Sequence, residues 1–290
     1  MIGIFWLIIK VFPWPALIRL GEGLGELSFH LAKRRRTIAQ KNIARCFPER
    51  SSGEQEALNK KHFRHLGAAL FETGLCWWAR DSQLAPLLKV EGLEHLHAAR
   101  ASQKGVILFL PHFTTMELTG RFLYFYQRFA VTYRPSKQAL LESLWRRNRA
   151  RFTTRLISGR DVRRMVRVLR NGEALWYSAD QAGRPKRAVI APFFNKPSFT
   201  LRAPCRLLEA GNAVLLPFFC YRLPENQGYC LKFFPPVDHI PGDDEVAQAT
   251  HLNHLIEEMI RLAPAQYFWS HERFKYDERY LDAEGNLRAS

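Results

Sequence analysis

Long apolar runs, acidic charge and paired cysteines are what this chain is short of. No stretch reaches the roughly 18 uninterrupted apolar residues of a spanning helix. Cysteine is sparse and odd in number (Cys46, Cys76, Cys205, Cys220, Cys230), with no CxxC pair. That excludes a disulfide framework or a cysteine zinc site and points to buried thiols in a reducing compartment. No internal repeat or low-complexity tract occurs, so solenoid and disordered architectures drop out. What is present is apolar content of 47% over 290 residues, enough for one sizeable core, one large domain with appendages.

Charge is strongly one-sided: 43 Lys and Arg against 27 Asp and Glu, a net +16. Such a surface seeks anions, among them nucleic acid, anionic lipid headgroups, a phosphorylated substrate or an acidic protein. Arginine dominates, in Lys33–Arg36, Arg146–Arg151 and Arg160–Arg164, and its planar fork suits phosphate. No motif that reads RNA or DNA is present, and nucleic acid would leave the apolar N-terminus unexplained. His62-x-x-His65 and His251-x-x-His254 have helical spacing, but nothing nearby completes a ligand set, so both pairs are read as surface histidines and no metal is expected.

The first 31 residues run Ile4-Phe-Trp-Leu-Ile-Ile9, Val11-Phe12, Trp14 and Ala16-Leu-Ile18, interrupted by Lys10 and Arg19. Pro13 and Pro15 should break or kink a helix there. The segment lacks the basic start and small-residue cleavage site of a signal peptide. Its aromatics and the Lys33–Arg36 flank suit a membrane-embedded or interfacial anchor. We therefore expect residues 1–35 to form a hydrophobic membrane anchor and residues 36–290 the functional domain.

Helices are expected over Thr37–Arg45 and Gly53–Ala79. From Val90 to Phe234, apolar runs then alternate with amphipathic ones. Strands are expected at Val106–Leu110, Phe129–Tyr133, Ala174–Ser178, Ala188–Phe194, Val214–Tyr221 and Tyr229–Phe234. Helices are expected at Met116–Tyr126, Leu140–Arg151, Val162–Leu169, Leu201–Ala210 and Val246–Leu262. That alternation predicts an α/β fold, a mixed and mostly parallel sheet flanked by helices, preceded by a helical, membrane-associated N-terminal segment.

The richest stretch is Gly105-Val-Ile-Leu-Phe-Leu-Pro-His112-Phe-Thr-Thr-Met-Glu117. It places His112 where a buried strand ends and a helix begins, the crevice in which α/β proteins bind ligands. A base with a carboxylate near it can take a proton from a hydroxyl. The same residues also fit a helix-start capping box, Thr114-x-x-Glu117, with His112 an ordinary loop residue. Spacing alone leaves both readings open.

Several blocks, in order, resemble a known family, the bacterial lipid A late acyltransferases. His112-Phe-Thr-Thr-Met-Glu117 is similar to their HxxxxE/D block. Arg36-Thr-Ile-Ala-Gln-Lys-Asn42 with Cys46-Phe-Pro-Glu49 is similar to the N-terminal block, and Tyr133-Arg-Pro135 with Arg149 and Arg151 to the second block. Ala179-Asp-Gln181 with Ala191-Pro-Phe-Phe194 and Thr200 is similar to the third, and Gln266–Lys275 to the C-terminal signature. One departure is that Asp180-Gln-Ala-Gly183 is shorter than the family's Asp-Gln-Asp-Tyr-Gly and lacks its second acid and its aromatic. The form of the first block is nearer the lauroyl-type branch.

The resemblance implies transfer of a fatty acyl chain from acyl carrier protein to a hydroxyl of a lipid A precursor, without a cofactor. It implies His112 as base, oriented by Glu117, with Arg134, Arg149 and Asp180 binding substrate. Arg149 and the helix start after His112 would serve the oxyanion, and His271 and Arg273 are read as structural. Direct transfer needs no enzyme nucleophile, and no GxSxG motif is present. Acyl carrier protein and the phosphorylated precursor are both anionic, matching the charge. The implied location is the cytoplasmic face of the inner membrane.

Overall fold

The computed structural model describes residues 2–136, 138–241, 244–282 and 287; part of the C-terminal end of the expected 36–290 unit lies outside the described residues. Five helices come first: α1 (Ile2–Val11), α2 (Trp14–Leu31), α3 (Lys33–Cys46), α4 (Ser52–Trp78) and the short α5 (Asp81–Leu84). The break between α1 and α2 falls at Pro13, and Pro15 occupies the first turn of α2, where its missing N–H is tolerated. Helix α4 opens on a complete capping box, Ser51 with Glu54.

Helix α2 packs lengthwise on α4 through glycine. A Cβ on Gly25 would lie 2.1 Å from the Phe63 carbonyl, and one on Gly67 would lie 2.0 Å from that of Gly21. Only glycine permits backbones this close. The inner face of α2 (Leu17, Ile18, Gly21, Gly25, Phe29) is thereby buried. Among the described residues no helix is long and apolar enough to cross a membrane.

The remaining elements alternate. In order they are β1 (Leu88–Glu91), α6 (Leu93–Ala101), β2 (Gly105–Phe109), α7 (Met116–Leu123), β3 (Ala130–Tyr133), α8 (Ala139–Arg149) and β4 (Arg155–Ser158). There follow α9 (Val162–Arg170), β5 (Ala174–Tyr177), β6 (Ala188–Phe193), β7 (Lys196–Leu201), α10 (Ala203–Gly211), β8 (Ala213–Arg222), β9 (Tyr229–Phe233), α11 (Glu245–Leu262) and α12 (Asp277–Tyr280). Seven strands form one sheet in the order β1-β9-β8-β2-β5-β3-β4, parallel except for β8 against β9. The expected mostly parallel α/β architecture is therefore the one observed. Central β2 is buried at every position and β8 at nearly every one, as strands covered on both faces must be. Alternate β2 residues feed two cores, Ile107 and Phe109 on one side and Val106 and Leu108 on the other.

Three expectations need correcting. Strand β6 does not join the main sheet; it makes an antiparallel hairpin with β7, which the sequence pattern does not register. Strands β1 and β4, both short and half-exposed, lacked an apolar signal. His62 is fully buried in α4, its Nδ1 3.3 Å from the Ala265 carbonyl, so it is no surface residue.

A buried polar chain ties the N-terminal helices to the sheet. Trp14 Nε1 donates to the Tyr229 hydroxyl (2.9 Å), which donates to Glu72 Oε1 (2.7 Å), and Arg222 Nε donates to the same oxygen (2.8 Å). The backbone N–H of Arg222 in turn donates to Gln266 Oε1 at 2.8 Å. Each charge is paired, without which burial would be costly.

Candidate active site

Strand register places the candidate residues. In the parallel β2–β5 pair Phe109 faces Tyr177. His112 follows Phe109 by three residues and Asp180 follows Tyr177 by three, so adjacent strands deliver both side chains to the same end of the sheet. His112 Nδ1 lies 2.5 Å from Asp180 Oδ1, and the His112 backbone N–H donates to Asp180 Oδ2 at 2.9 Å. Both carboxylate oxygens thus meet His112.

The His112 segment is clamped from behind by the C-terminal signature. Phe113 bridges Tyr267, the Phe268 N–H donates to the His112 carbonyl (2.9 Å), and the Thr114 N–H donates to the Gln266 carbonyl (2.8 Å). Asn42 of α3 donates to the carbonyls of Trp269 and His271, both at 2.7 Å, joining the N-terminal block to that signature. Arg273 donates to Ser198 and to the Phe199 carbonyl, the structural part read from the sequence.

Asp180 is buried. Burial alone would push its carboxyl up; the charge of His112 and the hydrogen bonds from its ring and backbone outweigh that and hold the carboxyl below its ordinary range. An ionised Asp180 can only accept, so Nδ1 carries a proton, and in the neutral ring it is Nε2 that offers a lone pair. Gln181 Nε2 stands 3.2 Å from His112 Nε2 and marks the position that an acceptor hydroxyl would take. Gln181 is a site residue that reading the sequence missed as a role, although it directly follows Asp180.

Glu117 is not the partner of His112. Its side chain pairs with Arg149: Nη2 donates to one carboxylate oxygen, and Nε reaches the other at 3.4 Å. Burial opposes the Arg149 charge, and the Glu117 carboxylate more than restores it, raising the guanidinium's pKa. The capping box is absent as well: Thr115, not Thr114, precedes α7, and its hydroxyl donates to the Cys220 carbonyl rather than capping. The expected link between His112 and Glu117 fails because α7 turns Glu117 toward α8. Arg151 donates to the Trp77 carbonyl, away from this pair.

His112, Glu117, Arg134, Arg149 and Gln181 all line one cavity of about 430 Å³ between α7, α8, β3 and β5. Arg134 is exposed at its wall and makes no ion pair among the described residues. Away from these polar groups the lining turns apolar, with Phe129, Val131, Trp145, Phe152 and Trp176. Asp180 sits behind His112 rather than in the lining, so its side chain meets the His112 ring and not the cavity. In its neutral form an imidazole beside a largely apolar cavity, with a fixed guanidinium opposite, can deprotonate a hydroxyl while the guanidinium stabilises a developing oxyanion.

Comparison with known proteins agrees with this chemistry. Residues 1–276 match the family model described as bacterial lipid A biosynthesis acyltransferase. The lipid A biosynthesis lauroyltransferase of Escherichia coli (strain K12) is 34% identical over 275 residues, covering 94% of this chain and 90% of the relative. The lipid A biosynthesis palmitoleoyltransferase of the same organism is 36% identical, covering 94% and 89%. A lipid A biosynthesis acyltransferase of Haemophilus influenzae (strain ATCC 51907 / DSM 11121 / KW20 / Rd) is 34% identical, covering 93% and 88%.

Proposed function

The chain belongs to the bacterial lipid A biosynthesis acyltransferase family, and we propose that His112 is the base with which it acylates a hydroxyl of a lipid A precursor. The observation that carries this reading is the His112 ring, with Nδ1 held 2.5 Å from Asp180 and Nε2, met by Gln181 at 3.2 Å, turned toward a largely apolar cavity.

The donor is a fatty acyl thioester of acyl carrier protein, its chain in the cavity between α7 and β3. The acceptor hydroxyl, on an acyl chain already borne by the precursor, replaces Gln181 at His112 Nε2. Nε2 takes the proton as the oxygen attacks the thioester carbon, and Asp180 stabilises the imidazolium without itself becoming protonated. The tetrahedral oxyanion is met by Arg149, which Glu117 holds in place; Glu117 therefore acts on the guanidinium and not on the base. The C–S bond then breaks, and His112 returns its proton to the departing thiolate. No enzyme nucleophile takes part. Arg134, exposed at the mouth, meets an anionic part of donor or acceptor.

Residues 1–35 bring the enzyme to an acceptor that stays in the membrane, at the cytoplasmic face of the inner membrane. The apolar outer faces of α1 and α2 and the basic run Lys33–Arg36 after them support this.

The test is mass spectrometry of lipid A from cells with the gene intact, deleted, or carrying His112→Ala. We expect deletion and His112→Ala alike to remove one acyl chain. With purified protein and acyl carrier protein donor, His112→Ala should lower kcat by about 10²–10⁴-fold. An acylation pattern that is the same in all three strains would refute the proposal.

A further inference from the structure

We infer that Gly120, together with the Phe129 and Phe152 rings that it faces, sets the length of acyl chain the enzyme accepts. The inference rests on the reading that the cavity beside His112 holds the acyl chain. The cavity has a polar end, with His112 and Gln181, and an apolar one. Strand β3 runs along it: Tyr133 stands at the strand's C-terminal end, where Arg134 opens to solvent, and Phe129 directly precedes its first residue. At about 3.3 Å per residue these positions are ~13 Å apart, of the order of an extended lauroyl tail.

Helix α7 forms the facing wall with Met116, Glu117 and Gly120. Gly120 lies inside the helix and has no positive φ, so backbone geometry gives no reason for glycine there, and glycine inside a helix is destabilising. Space gives the reason. A Cβ at this position would stand 3.2 Å from Phe152 Cε2 and 3.7 Å from Phe129 Cζ. Both rings are buried, and Phe129 stacks on Trp176 with centroids 5.5 Å apart, so it has a rigid backing. Gly120 thus leaves the Phe152 ring its place at the closed end of the cavity, and any side chain here would press that ring into it. Relatives of this chain differ in the chain they transfer, lauroyl in one and palmitoleoyl in another, so length is a property the family varies.

The test uses the purified full chain, a lipid A precursor, and acyl carrier protein loaded in turn with decanoyl, lauroyl, myristoyl and palmitoyl chains. Relative kcat/KM values are read by mass spectrometry. Gly120→Ala and, more strongly, Gly120→Val should shift the preference toward shorter chains, with the ratio for adjacent lengths changing ~10-fold or more. Phe152→Ala should shift it the other way and raise the rate with a chain longer than the wild type favours, a gain that misfolding cannot produce. Loss of all lengths by one common factor in Gly120→Val, with no gain in Phe152→Ala, would overturn the assignment while leaving the function intact. Absence of transfer by the wild type from every donor would overturn the functional reading and this inference with it.

Discussion

Two carboxylates stand by the cavity, and their partners divide their work. Asp180 holds the His112 ring; Glu117 holds the Arg149 guanidinium. Replacing Asp180 by Asn removes the acceptor that fixes the proton on Nδ1, so kcat/KM should fall by about 10⁴-fold, the cost of a wrong tautomer. Glu117→Gln should cost less, and its effect should largely vanish in an Arg149→Ala background, since interacting pairs are non-additive. Steady-state kinetics of the four variants decide this. If Glu117→Gln costs as much as Asp180→Asn, and does so equally without Arg149, then the division is wrong. His112, Glu117, Arg134, Arg149 and Asp180 were visible in the sequence as chemistry, but their pairing and the part of Gln181 were not. His112 and Glu117 are near in sequence and invite pairing; His112 and Asp180 meet only through the register of two parallel strands, which no local spacing encodes.

Elements with a full apolar signature were legible. Strands β2, β5, β8 and β9 lie within a residue or so of their expected bounds, because strands buried at nearly every position leave mostly apolar runs. Half-exposed β1 carries charge at alternate positions, β4 ends in polar residues on both sides of two apolar ones, and neither left such a trace. Helix α4 hid a different fact: the histidine on its buried face looked like any helical histidine. Burial, only partly offset by backbone contacts with Ala265 and Tyr267, drives the His62 pKa down to about 3. His65, desolvated beside Arg222, is lowered too. Between pH 6.5 and 3 the unfolded chain therefore binds a proton at His62 that the native state refuses. Stability should be whole above pH 6.5 and be lost on acidification, at up to ~1.4 kcal/mol per pH unit for this residue. Urea melts from pH 7 to pH 4 should show that slope, and it should be shallower in His62→Gln by His62's share. An unchanged slope would mean that His62 is protonated, or solvated, in the native state.

At the scale of the whole molecule, the two faces of α2 explain how a chain with net charge +16 could sit on a bilayer without crossing it. The inner face is used up against α4, where the Gly25 and Gly67 contacts leave no room for lipid. The outer face presents Leu20, Leu24, Leu27 and Leu31 at helical spacing, all exposed, and α1 adds Ile4, Leu7 and Val11. A helix bound to protein along its length has only one side left for lipid, which favours lying in the interface over spanning. Lys33, Arg34 and Arg35 follow at once, exposed, where anionic headgroups would meet them. Two forces of different kind should then act together, apolar burial that is insensitive to salt and attraction that salt screens. Sedimentation with vesicles containing anionic lipid should capture the protein at low salt, and raising salt should weaken capture without abolishing it. Leu24→Glu with Leu27→Glu should lower the apparent affinity by at least ~10-fold, since each buried leucine contributes about 1.5–3 kcal/mol. Those side chains point away from α4, so the variant should melt like the wild type. Equal capture of variant and wild type would place the bilayer on some other surface.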